Sequence, residues 1–217
     1  MTADLFDTVA EAQPSREDIT DGAVLLRGFV RSIERELIEA VRAIVAQSPF
    51  RRMTTPGGHL MSVAMTNCGE RGWVTDHTGY RYDPIDPRTE APWPAMPPVL
   101  SDLARRAAEQ GGFQNFSPDA CLVNRYDPGT RLSLHQDKDE LDYSAPIVSV
   151  SLGLPATFLF GGLARADKPR RFRLVHGDVV VWGGPSRLAY HGVAPLAEGE
   201  HALLGAKRIN LTFRRTR

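Results

Sequence analysis

Hydrophobic and polar positions change their period along this chain. Ala23-Val24-Leu25-Leu26 is a short apolar run closed by Gly28 and predicts a strand. From Ser32, read as an N-cap, Ile33, Leu37, Ile38, Val41, Ile44 and Val45 recur at helical spacing until Ser48-Pro49 stops the helix. After the turn Thr55-Pro56-Gly57-Gly58, residues His59 to Thr66 predict a strand, and Val99 to Ala108 predicts a second amphipathic helix ended by Gly111-Gly112. Strand patterns then dominate: Cys121 to Tyr126, Ile147 to Leu152, Thr157 to Phe160, Phe172 to Val175, Asp178 to Trp182, Leu188 to Val193 and Arg208 to Arg214. Short strands at this spacing, with Gly-rich turns, predict a mainly β sandwich or barrel with the two helices packed outside one face. Residues 1 to about 20 are polar and patternless and are expected to form a loose terminus, with 21–217 as a single domain.

One stretch departs from both periods. Between residues 50 and 98 the chain is rich in Gly, Pro and aromatics, including Gly72-Trp73, Gly79-Tyr80 and Pro92-Trp93-Pro94. Its Pro content argues against a regular helix or central strand. A loop of this length in a compact chain is usually a lid or binding surface. Composition changes the picture little. The 217 residues carry 26 Lys and Arg against 26 Asp and Glu, so no global field draws the protein to a polyanion, and any such site must be a local patch. Cys68 and Cys121 are too few for a disulfide scaffold or a thiolate zinc site, and free thiols suit a reducing compartment. No signal peptide or membrane-spanning run is found, so a cytoplasmic protein is expected.

Candidate chemistry begins at Leu132-Ser133-Leu134-His135-Gln136-Asp137-Lys138-Asp139, where alternation on a strand would turn Ser133, His135, Asp137 and Asp139 to one face. An imidazole and a carboxylate so placed can share a metal, and a distant second His would complete a two-His-one-carboxylate triad. His201 lies in a polar loop and His176 in the turn His176-Gly177, whereas His191 sits in a strand pattern beside Gly192. His191 is therefore the preferred distal ligand. The last strand alternates Arg208, Asn210, Thr212 and Arg214 with Ile209, Leu211 and Phe213. Its apolar face can pack under the helices, leaving two guanidiniums inside the barrel. Buried guanidiniums need anionic partners, and a small dicarboxylate would suit both. Asn124 and Tyr126 share a face that could hydrogen-bond a carboxylate. Arg165, Lys168, Arg170, Arg171 and Arg173 surround the single Asp167, a patch fit for phosphate contacts that Arg51, Arg52 and Lys138 would extend.

These motifs resemble the Fe(II)- and 2-oxoglutarate-dependent dioxygenases and, more narrowly, the bacterial AlkB DNA-repair demethylases. The resemblance runs from about Ala23 to Arg214. It is carried by His135-x-Asp137, His191 and Arg208-x-Asn210-x-Thr212-x-Arg214, with Ser62 to Gly69 (including Met65), Trp93 to Pro97 and Asn124-Arg125-Tyr126. It implies a double-stranded β-helix, or jelly roll, with a nucleotide-recognition lid. It implies Fe(II) on His135, Asp137 and His191, with O2 as co-reactant. It places the far carboxylate of 2-oxoglutarate on Arg208, Asn124 and Tyr126, and the iron-chelating carboxylate on Arg214, with Asn210 in the same site. It assigns Trp73 and His135 to sandwich a methylated base, Asp139 to face the base edge, Tyr80 to contact a phosphate, and Met65 and Arg165 to line the substrate. The implied partner is methylated single- or double-stranded DNA, or RNA, bound by a monomer. A 2-oxoglutarate dioxygenase acting on a small molecule or protein side chain is the alternative enzyme, and a jelly-roll metal-binding protein the alternative outside catalysis.

Overall fold

The computed structural model describes residues 14–217. Its first strand, β1 (Ser15–Thr20), pairs antiparallel with β2 (Ala23–Arg27). The terminus expected to be loose is therefore a strand over those residues, because its backbone caps a sheet edge; residues 1–13 lie outside the described part. A 3-10 turn over Arg31–Ile33 precedes α1 (Glu34–Gln47), so Ser32 sits in that turn and Ile33, with no side-chain cap bond, takes the N-cap position. Next come β3 (Ala64–Gly69), β4 (Gly72–Asp76), β5 (Gly79–Asp83), β6 (Ile85–Asp86) and β7 (Ala91–Pro92). The second helix, α2 (Pro98–Gln110), starts on a proline whose missing N–H has no helical partner to lose. Then follow β8 (Ala120–Tyr126), β9 (Leu132–His135), β10 (Ile147–Gly153), β11 (Ala156–Phe160), β12 (Arg170–Leu174), β13 (Val179–Trp182), β14 (His191–Val193) and β15 (Arg208–Arg214).

Two antiparallel sheets carry eleven of these strands, and β4–β5 and β6–β7 form two separate two-stranded sheets. The larger has the order β1-β2-β13-β10-β15-β8-β3, the smaller β12-β11-β14-β9. Alternation decides what each face meets. Val148 and Val150 of β10, Ile209, Leu211 and Phe213 of β15, and Cys121 and Val123 of β8 pack against Leu37, Val41 and Ile44 of α1 and Leu100, Leu103 and Ala104 of α2. Each such side chain, when fully buried, contributes roughly 1.5–3 kcal/mol. The opposite faces meet across the barrel: Ile147, Leu122 and Trp182 with Phe158, Phe160 and Phe172 of the smaller sheet. The Phe158 and Trp182 ring centroids are 6.2 Å apart across that gap. This is the jelly-roll plan, mainly β, with both helices outside the larger sheet.

Several boundaries differ from the sequence pattern, each for a local reason. β3 starts at Ala64 rather than His59 and continues to Gly69, because β8 offers it a partner from Arg125 to Ala120; Leu60, before it, is exposed. β9 stops at His135, and Asp137 belongs to the irregular segment that follows. There the Gln136 side-chain amide donates to the Leu188 carbonyl at 2.7 Å, and the Asp137 carbonyl accepts from Arg187 at 2.8 Å. β14 is reduced to three residues, and its register slips at Gly192. A Cβ on Gly192 would meet the Leu132 carbonyl oxygen at 2.7 Å, so only glycine lets β9 lie this close.

The lid is more regular than its composition suggests. Gly72 to Asp83 contains no proline and forms the β4–β5 hairpin, with Trp73 opposite Tyr82. Its base is clamped by Asp86, 2% exposed, which accepts two hydrogen bonds from Arg51 at 2.7 Å each and one from the Arg88 amide at 2.9 Å. Arg51 also lies over the buried Trp93 ring, so it is spent on the fold and does not extend the basic patch. Burial pushes the Asp86 carboxyl up, but the Arg51 hydrogen bond and the Arg88 amide outweigh it and hold the group below its ordinary 3.8. A carboxylate whose pKa is lowered by folding stabilises above its unfolded pKa and loses that contribution as pH falls through the folded one. Asp86→Asn is therefore expected to cost about 2–3 kcal/mol at pH 7 in urea unfolding. The gap from wild type should close only below pH 3.8. A gap that stays constant through that range would show that Arg51 does not act through the charge.

Candidate active site

β9 and β14 are hydrogen-bonded neighbours, and His135 is paired directly with His191. The two imidazoles are thus cross-strand partners, with ring centroids 4.4 Å apart. Asp137 swings in from the segment after β9: its Oδ1 is 3.5 Å from His135 Nε2 and its Oδ2 is 3.7 Å from His191 Nε2. One donor atom from each of the three lies within 4.8 Å of the others. Both rings are oriented the same way. His135 Nδ1 lies 2.9 Å from the Ser133 carbonyl and His191 Nδ1 lies 3.0 Å from the Ala189 carbonyl. A carbonyl only accepts, so Nδ1 carries the proton and the Nε2 lone pairs point at one spot. Two neutral imidazoles and one carboxylate on one side of an ion are the donor set of a non-haem Fe(II) site.

Protonation suits metal binding at His191 and Asp137. Burial first, then His135 beside it, lowers His191 to about 4, so this ring stays neutral. For His135, burial pulls the pKa down but the Asp137 hydrogen bond more than reverses it. Burial would raise Asp137, yet the Arg214 guanidinium, then His191, hold it well below the carboxylate range. Arg214 Nε stands 3.1 Å from Asp137 Oδ2 and 3.2 Å from Glu140 Oε1. Glu140 also meets Tyr82 of the lid and Arg187. The sequence pattern marks neither Glu140 nor Arg187 nor Tyr82; all three become visible only when the segment after β9 folds back over β15.

The polar face of β15 points inward, as its alternation predicts: Arg208, Asn210, Thr212 and Arg214 are all buried. They line a cavity of about 810 Å³, which also contains the three candidate ligands, Asn124, Met65, Trp73, Tyr80, Asp139 and Arg165. Tyr126 is the exception, lying beneath Arg208 with the guanidinium 4.9 Å from its ring centroid. Arg208, 1% exposed, spends Nη2 on the Ser151 hydroxyl at 3.0 Å. Its Nε and Nη1, and the Asn124 Oδ1 nearby, have no partner. Burial lowers the Arg208 pKa. A buried cation with unmet donors facing a cavity can take an anionic group.

At the mouth, Trp73 donates from Nε1 to Asp139 Oδ2 at 2.7 Å and stacks on Tyr80, with centroids 5.7 Å apart and planes 20° from parallel. These three residues, separate in the sequence argument, act as one rim. Arg165 lies over the Tyr190 ring, while Arg170 donates to the Ile19 carbonyl and is only partly free. His176 is elsewhere, bonded to Glu34 at 2.9 Å, and His201, expected in solvent, is half-buried and stacked on it with centroids 4.4 Å apart. Neither reaches the metal cluster.

A fold that sets a three-donor metal cluster beside a carboxylate receptor belongs to the oxygenases that bind a keto acid next to iron. The description of the 2OG-Fe(II) oxygenase superfamily matches residues 22–214, and its enzymes use Fe(II), 2-oxoglutarate and O2. The chain is 58% identical over 210 residues, 97% of either sequence, to the alpha-ketoglutarate-dependent dioxygenase AlkB of Escherichia coli (strain K12). It is 33% identical to the DNA N(6)-methyladenine demethylase ALKBH1D of Arabidopsis thaliana, over 94% of this chain and 51% of that one. The solved structure of OsALKBH1 superposes with a TM-score of 0.82 at 30% identity, covering 93% of this chain and all of that one. The chain belongs to the AlkB family of alpha-ketoglutarate-dependent dioxygenases.

The orphaned guanidinium yields a stability test. Arg208→Met keeps the volume and removes unmet buried donors, so its melting temperature without 2-oxoglutarate should equal or exceed wild type, as when buried charge is replaced by apolar groups. Added 2-oxoglutarate should raise the melting temperature of wild type only. Equal stabilisation of both proteins would remove Arg208 from the receptor.

Proposed function

We propose that this dioxygenase removes methyl groups from the ring nitrogens of 1-methyladenine and 3-methylcytosine in DNA, with RNA as the alternative polymer. The observation that carries this reading is the rim: an indole plate bonded to a carboxylate, at the mouth of a cavity that ends at the metal cluster. Both methylated bases are cationic near neutral pH, so an aromatic face and a carboxylate suit them together. A base that cannot pair is also the least costly to extrude. The relatives support a nucleic-acid substrate, one of them being named a DNA demethylase.

In this reading His135, Asp137 and His191 hold Fe(II), which supplies the oxidising chemistry with O2. Arg208 takes the far carboxylate of 2-oxoglutarate, helped by Asn124 and the Asn210 network behind it; Tyr126 acts from beneath the guanidinium. Arg214 takes the near carboxylate. Trp73 and His135 flank the base, Asp139 accepts from its edge, Met65 packs beside it, and Tyr80 and Arg165 meet the backbone. Water is excluded by the apolar barrel walls at Phe158 and Trp182. One oxygen atom of O2 ends in succinate as CO2 leaves the keto acid. The other hydroxylates the N-methyl carbon, and the hemiaminal breaks its C–N bond to give formaldehyde and the restored base. Every group required lies in one chain, which supports action as a monomer, and the two buried free thiols are consistent with a cytoplasmic enzyme.

Formaldehyde release from a methylated oligonucleotide tests the reading. His135→Ala, Asp137→Ala and His191→Ala should lose Fe(II) binding, while His176→Ala and His201→Ala keep it. Trp73→Ala should weaken use of every substrate by on the order of 1 kcal/mol or more, the scale of one base–aromatic stack. Asp139→Ala should penalise 1-methyladenine and 3-methylcytosine more than neutral 1-methylguanine. Charge reversal of Arg171 and Lys168 should weaken all substrates alike and flatten the salt dependence. Wild type that releases no formaldehyde, yet turns over 2-oxoglutarate with a small metabolite, would replace the repair reading with the small-molecule one.

A further inference from the structure

Among the described residues, Glu140 is the one carboxylate that touches both the lid and the inner arginines. Its side chain is 1% exposed and lies among the guanidiniums of Arg187, 3.1 Å away, and Arg214, 3.2 Å away. The same Oε1 that faces Arg214 accepts the Tyr82 hydroxyl at 2.8 Å. Burial pushes the Tyr82 phenol well up, so that hydroxyl stays a donor. Tyr82 does not line the cavity; it is the cross-strand partner of Trp73 in the β4–β5 hairpin. An unbroken set of contacts thus runs from the aromatic rim through Tyr82 and Glu140 to Arg214. Arg214 Nε is shared between Asp137 and Glu140, and a guanidinium is a rigid fork, so fixing its Nε edge fixes where its other donors point. Arg187 closes the cluster from behind, bonding the carbonyls of Ala145 and Asp137 at 3.0 and 2.8 Å.

We propose that Glu140 is a positioning residue that couples the two ligand sites: it aims Arg214 at the cosubstrate and, through the Tyr82 hydroxyl, seats the hairpin that carries Trp73. This rests on the reading of Arg214 as a carboxylate receptor and Trp73 as the base plate. By linkage, filling one site then favours the ordered state of the other, and each promotes the other equally. The two-by-two balance of Asp137 and Glu140 against Arg187 and Arg214 explains why a second carboxylate is tolerated beside a metal ligand.

The test is 2-oxoglutarate affinity by calorimetry with Mn(II) at the metal site, together with hydrogen exchange across residues 72–83. In wild type, 2-oxoglutarate should slow exchange in the hairpin. Tyr82→Phe, which removes one oxygen and nothing from the cavity wall, should weaken 2-oxoglutarate roughly tenfold and abolish that slowing, the scale of one buried hydrogen bond to a charged group. Glu140→Gln should do the same, and the double variant should be no weaker than Glu140→Gln alone, since both break one path. Affinity within about twofold of wild type in Tyr82→Phe, with or without a drop in melting temperature, overturns the coupling and leaves a packing role; this variant decides alone if Glu140→Gln does not fold. Unchanged affinity in Arg214→Lys would instead overturn the receptor assignment, and the coupling with it.

Discussion

Charge buried inside a β-barrel has to be answered by other charge, and much of this active site follows from that requirement. β15 carries two guanidiniums to the interior because its alternate residues, Ile209, Leu211 and Phe213, are claimed by the helices. Arg214 is answered from within the chain by Asp137 and Glu140. Arg208 is not: it rests on the Tyr126 ring and one hydroxyl, with the rest of its donors unmet. The two arginines on one strand are thus treated unequally: Arg208 keeps unmet donors toward the cavity, whereas Arg214 is already engaged by two carboxylates.

The metal cluster depends on a different constraint, the close approach of β9 to β14. A glycine at 192 allows it, and direct pairing of His135 with His191 makes ligand spacing a property of the backbone ladder. Carbonyls two residues before each histidine then choose the tautomer. The placement of the two histidines is therefore set by main-chain groups, whereas Asp137 depends on the side chains of Gln136 and Arg187.

Period-two alternation made much of this legible before any coordinates. The inward face of β15 could be read from the order of polar and apolar residues, since it is a regular strand with one apolar face. His191 stood out by its strand pattern beside Gly192, whereas its direct pairing with His135 is not legible there. What alternation could not reach lay off the strands. Asp137 was expected on β9 but sits past its end, held by contacts from Gln136 and Arg187 that link distant segments. Glu140 and Tyr82 meet across 58 positions, with neither in a motif. β1 escaped notice because five of its six residues are exposed and its strand character comes from a partner's backbone rather than from its own apolar face. The Pro-rich composition of the lid likewise hid the hairpin in its proline-free portion.

The bond between Trp73 and Asp139 gives the rim a further property. The Asp139 carboxylate already accepts an N–H donor, the indole of Trp73. On the proposed reading, a base that bonds Asp139 would displace that donor with one of its own. Adenine and cytosine present an exocyclic amino group on that edge, whereas guanine and thymine present a carbonyl oxygen. The indole N–H is thus, on that reading, an internal competitor: an amino-bearing base replaces it by simple exchange, whereas a carbonyl-bearing base brings no donor to the exposed Asp139 carboxylate. On the same reading, discrimination of this kind would begin at the rim, before the methyl group reaches the metal.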